Sequence, residues 1–286
     1  VALLMGLTMP PGSTNSWTLI AASVVLFGLL LWAESRAVDP ILPLHLFRER
    51  LFAVATLQGL LAGWAMFGSI SFIPLFVQSV LGTSATQAGF TISPMLLGWV
   101  GASIVGTRLL LKVGYRSLAI LGASLLVIGS FLMTTVHADV SQTLIMLYVT
   151  LMGIGMGLSI PSFLIAVQTT VERRSLGTAT STIQFSRSIG GTIGVSVMGA
   201  ALSASLAASL AASGLGLDLI SQLLNPLGAQ AVANDAVRIA VVDGIDVVFK
   251  IALAAALLAL VVTLFAPRKE LKDQAVDEEL LVVSAD

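Results

Sequence analysis

The chain has 286 residues, a formal net charge of −1, a hydrophobic share of 57% and a charged share of 10%. Soluble domains carry about 25% charged residues, and a chain this apolar would expose large hydrophobic patches to water, so the composition predicts a membrane protein. The near-neutral charge argues against a nucleic-acid partner, which requires a basic surface, and a chain without cysteine has neither disulfides nor thiolate metal sites.

The chain opens on a short apolar segment. Residues 1–8 lead into a turn marked by Pro10 and Pro11, which predicts that 1–16 is the end of a preceding helix followed by an outer turn. A secretory signal would need a basic start and a small-residue cleavage site, and the sequence has neither. We therefore expect the chain to be the carboxy-terminal part of a longer protein.

Seven apolar runs follow, each long enough for a transmembrane helix, which needs about 20 residues. The chain is therefore predicted to be an all-α membrane protein with seven transmembrane helices. Charged residues, glycine or proline mark the connections, of which 34–50 is predicted to be a cytoplasmic linker. The predicted helices are 17–33, 51–80, 86–111, 117–136, 142–170, 178–208 and 246–266.

Lysine and arginine lie mainly on one side of these helices. Because cytoplasmic loops are enriched in both residues, that side is predicted to be cytoplasmic. The chain then begins outside, ends in a cytoplasmic acidic tail at 267–286, and crosses the inner (plasma) membrane several times. The basic residues of the cytoplasmic side are Arg36, Arg48, Arg50, Lys112, Arg116, Arg173, Arg174, Arg268, Lys269 and Lys272.

The outer segment 209–245 differs from the other outer connections in its length. Ile220, Leu223 and Leu224 recur at helical spacing, which favours short amphipathic helices that lie on the membrane surface. A tethering loop without a function of its own is the alternative.

Three stretches carry distinctive motifs. They are SFIPLFVQSVLGTSATQAGFTISPMLLG at 71–98, GTRLLLKVGYR at 106–116, and the most specific one, GIGMGLSIPSFLIAVQTTVERRSLGTATSTIQFSRSIGGTIGVSVMG at 153–199. The second stretch resembles a degenerate copy of the major facilitator loop G-x-x-x-D-R-x-G-x-R, with Leu111 where that pattern often has aspartate. The matching residues are Lys112, Gly114 and Arg116.

Together these stretches resemble the fourteen-helix drug:proton antiporters of the major facilitator superfamily (EmrB/QacA type). The resemblance extends from Trp17 to about Pro267. It implies that 17–33 is the second of two extra central helices and that 51–266 is the carboxy-terminal six-helix bundle. It also implies export of small lipophilic or cationic drugs across the inner membrane, by proton antiport and alternating access, and no enzymatic activity.

The resemblance also implies a set of partners and no cofactor. The partners are a small-molecule substrate, protons, the lipid bilayer and the missing amino-terminal six-helix bundle, which would hold the family's membrane aspartate; a periplasmic adaptor is a further candidate. The alternatives are an exporter of a lipid, siderophore or other metabolite on the same fold, a non-transporting membrane scaffold or sensor, and a membrane-embedded enzyme. The sequence shows no catalytic constellation, and polar residues inside the spans favour transport over a scaffold.

The sixth predicted helix has two contrasting faces. Gly190, Gly191 and Gly194 lie on one face and are predicted to pack against a neighbour, because small residues let membrane helices approach closely. Thr182 and Phe185 lie on the opposite face and are candidate substrate contacts. The alternative is that all of these residues serve packing.

Arg187 lies on the glycine face of that helix, deep inside an apolar span. A charge at mid-bilayer costs at least about 2.5–3.5 kcal/mol and usually faces protein or a water-filled cavity, so Arg187 is a candidate gating or coupling residue. A structural arginine that binds carbonyls or reaches the cytoplasmic face is the alternative. Through the resemblance, Lys112, Gly114 and Arg116 join it as gating or coupling candidates.

Four more residues are candidate substrate contacts. Met156 and Phe163 share a stripe of the fifth predicted helix, and both side chains suit a pocket that adapts to many apolar shapes; plain packing is the alternative. Gln58 and Trp64 lie on nearly opposite faces of the second predicted helix, so either face remains a candidate lining of the cavity.

Overall fold

The computed structural model describes residues 44–212 and 235–268, together with 18, 21–23, 25, 26, 28, 29 and 32. Six of the described helices are long and apolar enough to cross a membrane, and the predicted all-α membrane fold is confirmed. Their bounds are Arg50–Ser79 (α1), Ala85–Val113 (α2), Tyr115–Met133 (α3), Gln142–Thr170 (α4), Leu176–Ala212 (α5) and Asp235–Leu264 (α6).

Several predicted segments lie wholly or partly outside the described residues. The first predicted helix, 17–33, is described only at isolated positions, all of them helical. Of the linker 34–50, the described part forms a short 3-10 helix at Leu44–Arg48 and then enters α1. The segment 1–16, the predicted surface helices around Ile220, Leu223 and Leu224, and the tail from residue 269 onward lie outside the described part.

The start of the last predicted helix is wrong. α6 begins at Asp235 instead of at 246, and the predicted outer loop 209–245 is helical at both of its ends. Arg238 lies in the part of α6 that was predicted to be a loop, and it is paired: it donates a hydrogen bond of 2.8 Å to the Ala138 carbonyl and lies 3.6 Å from Asp139, both in the turn between α3 and α4. Such pairing lets charged residues stay within an otherwise apolar helix.

The helices begin and end for identifiable local reasons. At the start of α2, the Ser84 hydroxyl accepts from the Gln87 amide while the Gln87 side chain accepts from the Ser84 amide, which forms a capping box. Between α2 and α3, Gly114 has a φ of +77°, a conformation that glycine adopts without strain. The sharp reversal therefore depends on glycine at that position.

The six helices interlock through two sets of contacts. α4 packs along α2 and α3, while α1 packs along α5 and α6, and α3 meets α6 where the two sets join. If α1, α2 and α3 are matched in order with α4, α5 and α6, the contacts of α4 with α2 and α3 correspond to those of α1 with α5 and α6. This correspondence is expected for a fold built from a repeated three-helix unit. α1 and α4 consequently lie inside the bundle, whereas α2 and α5 leave broad outer faces.

Glycines bring the helix backbones together. A Cβ added at Gly155 of α4 would lie 2.6 Å from the carbonyl oxygen of Gly122 on α3. On α5, a Cβ at Gly194 would lie 2.8 Å from the carbonyl oxygen of Trp64 on α1, and Gly190 abuts the backbone of the same helix. These contacts confirm that the α5 glycines pack, as membrane helices associate through small residues.

One end of the bundle is rich in basic residues. α1, α3 and α5 begin there and α2, α4 and α6 end there, so that Arg50, Lys112, Arg116, Arg173 and Arg174 gather at this end. We refer to it as the basic end. The opposite end holds the turn between α1 and α2 and the turn between α3 and α4.

Candidate functional site

Four helices meet around a single arginine within the bundle. Arg187 projects from α5, and its guanidinium carbon lies 5.6 Å from the centroid of the Trp99 ring on α2. A cation over the face of an indole ring is attracted by the ring's negative face. Below the arginine side chain lies Gly63 of α1, where a Cβ would come within 3.0 Å of the Arg187 Cγ.

The guanidinium lacks a hydrogen-bond or ion-pair partner among the described residues. Its Nε is buried and unbonded. Within the described part of the chain, the guanidinium makes a cation–π contact with Trp99. Guanidinium groups offer five donors and are stabilised by acceptors with negative charge. The Nε therefore has no acceptor within the described part of α1–α6, whereas the two Nη nitrogens are not among the buried unbonded atoms and are open to solvent or to a ligand.

A narrow cleft beside Arg187 collects further polar groups. Gln58 of α1 is buried, and its amide nitrogen donates a long hydrogen bond of 3.4 Å to the Ser159 hydroxyl on α4. Gln184, one turn before Arg187, has a buried side-chain oxygen that no described residue bonds. Phe163 closes the cleft on the α4 side. These two amides therefore leave hydrogen-bonding capacity unused beside Arg187.

The structure thus brings three predicted site residues together and adds two that sequence reasoning missed. Gln58, Phe163 and Arg187 line one cleft. Gln184 lies three residues from Arg187 on the same face, a helical spacing that could have revealed it. Trp99 lies in the middle of α2, away from the interface positions where membrane tryptophans are usually enriched, and this depth was the available signal.

The other predicted substrate contacts lie elsewhere in the bundle. Met156 is buried within the apolar core, and Trp64 packs against Gly194 with its indole nitrogen buried and unbonded by the described residues. Thr182 is 5% exposed and its hydroxyl donates to the Thr178 carbonyl. Phe185 is 58% exposed. Their contact with substrate remains a prediction.

The exposed face of α5 around Phe185 is polar. Ser188, Thr192 and Ser196 each donate their hydroxyl to a carbonyl one turn earlier, at 2.8–3.1 Å. The exposed face of α2, by contrast, is lined by large apolar side chains such as Leu97, which suit lipid. A polar membrane face is more stable against protein or water than against lipid, so the α5 face is suited to a second bundle or a water-filled cavity.

Two of the predicted gating residues lie in the turn at the basic end. Gly114 forms the reversal and Lys112 is exposed in the last turn of α2. Arg116 donates a hydrogen bond of 2.9 Å to the Leu264 carbonyl at the end of α6. Arg50 donates to the next carbonyl, Phe265, at 2.8 Å. Cationic side chains stabilise a helix carboxy terminus in this way.

Tyr115 completes this clamp of three side chains. It is buried, and its hydroxyl donates to the Pro267 carbonyl just beyond α6. Its ring lies 6.5 Å from that of Phe163, at a tilted angle. Tyr115 therefore links the clamp to the aromatic wall of the cleft beside Arg187.

A larger cavity of about 450 Å³ opens at the basic end. His45, Glu49, Phe52, Thr170 and Glu172 contribute to its walls, between the start of α1 and the end of α4. None of the predicted site residues lines it. In the described part of the chain, no three potential metal ligands among His, Asp and Glu come together.

Comparison with known proteins identifies a family. The family model described as Major Facilitator Superfamily matches residues 1–195. The chain is 36% identical over 188 residues to the Bacillus subtilis multidrug transporter protein MdtP, covering 65% of this chain and 35% of that protein. It is 31% identical over 195 residues to the tetracycline resistance determinant of Streptomyces rimosus, covering 68% of this chain and 56% of that protein.

The fold also matches a solved structure. A bacterial homolog of the human lysosomal transporter Spinster, crystallised in an inward-facing and occupied conformation, superposes with a TM-score of 0.64 at 20% identity. The match covers 92% of this chain and 61% of that one. The chain therefore spans 35% and 56% of the length of the two relatives, less than two thirds of either.

Proposed function

Because the chain belongs to the Major Facilitator Superfamily, we propose that it forms one six-helix bundle of a drug exporter that works by proton antiport and alternating access. Its substrates are small lipophilic drugs, cationic ones included, and a second six-helix bundle completes the transport path. The relatives named for multidrug transport and for tetracycline resistance support this proposal.

The observation that carries the proposal is the placement of Arg187. A membrane protein that serves only as a scaffold gains nothing from a half-buried arginine that lacks an acceptor within the described bundle. A transporter uses such a residue, because intramembrane charges line substrate and ion pathways. The polar face of α5 around Ser188 and Thr192 gives a second bundle a surface to meet.

Proton coupling needs a titratable group that both sides of the membrane reach in turn. α1–α5 contain no aspartate or glutamate within their bounds, and those of α6, Asp235, Asp243 and Asp246, all lie in its first half, where Asp246 is paired with Lys250. The coupling carboxylate is therefore assigned to the second bundle, and this chain contributes the substrate side of the cycle.

The proposal is tested with the complete protein in proteoliposomes. An imposed proton gradient is expected to drive accumulation of a fluorescent drug such as ethidium, and a protonophore is expected to abolish it. Failure of gradient-driven movement for ethidium and for other lipophilic dyes would contradict drug antiport. If a lipid or siderophore is transported under the same conditions but no drug is, the substrate of the exporter is a metabolite and not a drug.

Orientation is a second expected outcome. We propose that the basic end faces the cytoplasm of a cell whose inner membrane holds the protein, since lysine and arginine favour that side. In this cysteine-free chain, Ser117→Cys at the basic end should resist an impermeant thiol reagent in intact cells. Ala85→Cys at the opposite end should be labelled. Both positions are exposed. Labelling of Ser117→Cys but not of Ala85→Cys would therefore show that the basic end faces outward.

A further inference from the structure

Arg187 brings a positive charge into the bundle without a negative one beside it. Its Nε is buried and unbonded, and no described residue forms an ion pair with it. The carboxylates of α6 do not compensate it: Asp246 pairs with Lys250 at 2.5 Å, and Asp243 lies on the exposed side of α6. A half-buried guanidinium is stabilised when an anionic acceptor completes its hydrogen bonds.

The surroundings of the guanidinium fit an aromatic acid better than a bare cation. Trp99 lies against the guanidinium and offers an aromatic surface, while the neighbouring cleft, about 10 Å³ in volume, has room for a single polar atom but not for a ring. Gln58 supplies an amide donor in the same cleft. A lone cation entering here would meet the like charge of Arg187, whereas a carboxylate would meet a fork of donors that binds it bidentately.

We propose that Arg187 binds an anionic oxygen, a carboxylate or enolate, carried by an aromatic substrate, and that Trp99 positions the guanidinium. The inference rests on the proposed function and adds a preference within its substrate class for acidic and zwitterionic compounds. A cationic drug without an acidic group is still accepted through its apolar contacts, and one that carries an acidic group beside its positive charge binds more tightly. The matching anion on the substrate completes the hydrogen bonds that the bundle leaves open.

A pair of dyes isolates the acidic group. Rhodamine 110 carries a free carboxylate, and rhodamine 123 is its methyl ester with the same aromatic body. Binding is measured by the fluorescence anisotropy of each dye with the purified complete protein. We expect the wild-type protein to bind the acid about tenfold more tightly than the ester, a difference of about 1.4 kcal/mol.

The variants separate charge recognition from general damage. Arg187→Leu should bring the two affinities to nearly the same value by weakening acid binding, and Arg187→Lys should retain part of the preference, since an ammonium keeps the charge but not the planar fork. Trp99→Leu should weaken binding of the acid more than binding of the ester, because the guanidinium is then no longer held in place. The elution profile in detergent and the thermal midpoint of each variant show that the compared proteins are folded.

The inference is overturned if the wild-type protein does not bind the acid, binds both dyes equally, or prefers the ester. It is also overturned if Arg187→Leu weakens both dyes by the same factor, because the guanidinium then serves a carboxylate of the protein itself. Preferential binding of the acid without gradient-driven dye transport would uphold the inference and contradict the proposed function. Gradient-driven dye transport with no preference for the acid would contradict the inference and uphold the proposed function.

Discussion

Leucine in place of Gly190 is expected to prevent folding of the bundle, whereas leucine in place of Gly101 is expected to leave it intact. A Cβ at Gly190 would overlap the carbonyl of Leu60 and lie 2.8 Å from its Cα. These atoms belong to the α1 backbone and cannot move aside as a flexible side chain can. The α1–α5 contact would have to open, at a cost of at least about 3 kcal/mol, the upper end of ordinary overpacking.

Gly101 is the matched control because it is a helix-interior glycine in an open position. It lies within α2, and nothing comes within 4 Å of a Cβ placed there. Leucine at that position gains helix propensity of about 0.8 kcal/mol over glycine and adds an apolar side chain to a face that already exposes Leu97 and Val100.

Detergent extraction followed by size-exclusion chromatography and a thermal melt distinguishes the two variants. Gly190→Leu should be lost from the monodisperse peak, and Gly101→Leu should elute as wild type with an unchanged or higher midpoint. A wild-type midpoint for Gly190→Leu would show that α1 and α5 do not approach as closely as the structure has them.

The fold could be predicted largely because hydrophobic length decides which segments cross a membrane. The observed bounds of α1, α2 and α4 lie within two residues of 51–80, 86–111 and 142–170. The prediction failed at the start of α6, where Arg238 and Asp243 interrupt the apolar pattern ahead of residue 246. Arg238 bonds the Ala138 carbonyl in the turn between α3 and α4, a contact between residues far apart in sequence that no local pattern reveals.

Two residues of the candidate site were predictable because each contrasts with its own helix, whereas Phe163 was proposed from an apolar stripe that packing alone would also explain. Arg187 is conspicuous as a charge within an apolar span, and Gln58 as an amide. The significance of Trp99 depends on α2 and α5 coming together, which no local pattern encodes. The contact of Arg116 with the Leu264 carbonyl likewise joins residues far apart in sequence, so the family motif suggested a gating role without indicating this partner.

Removing Arg50 and Arg116 together is expected to lower the thermal midpoint by about 4–8 °C. Both side chains bond carbonyls at the end of α6, and hydrogen bonds from charged donors are worth roughly 1.5–3 kcal/mol each when well shielded. Because Arg50 is exposed, we expect about 2 kcal/mol for the pair, which corresponds to that shift for a chain of this size. The loss comes from release of the α6 terminus from α1 and α3.

Arg108→Ala is the control for this double variant. Arg108 lies on α2 near the basic end, is exposed, and has no hydrogen-bond or ion-pair partner among the described residues, so its removal changes the charge without releasing a helix end. Its midpoint should stay within about 1 °C of wild type, as for most exposed substitutions. Arg116→Lys should fall between the two, because lysine keeps the charge near the α6 terminus but has a shorter reach and a different donor geometry.

Transport measured on the same proteins separates a clamp from a gate. If Arg116 acts by holding α6, Arg50→Ala and Arg116→Ala should impair dye transport in proportion to their loss of stability. Complete loss of transport in Arg116→Ala at a wild-type midpoint would instead support the gating role that the motif suggested. In that case the hydrogen bond from Arg116 to the Leu264 carbonyl would open during the transport cycle. If its loss leaves the stability of the resting state unchanged, Arg116 must stabilise a different state of the cycle.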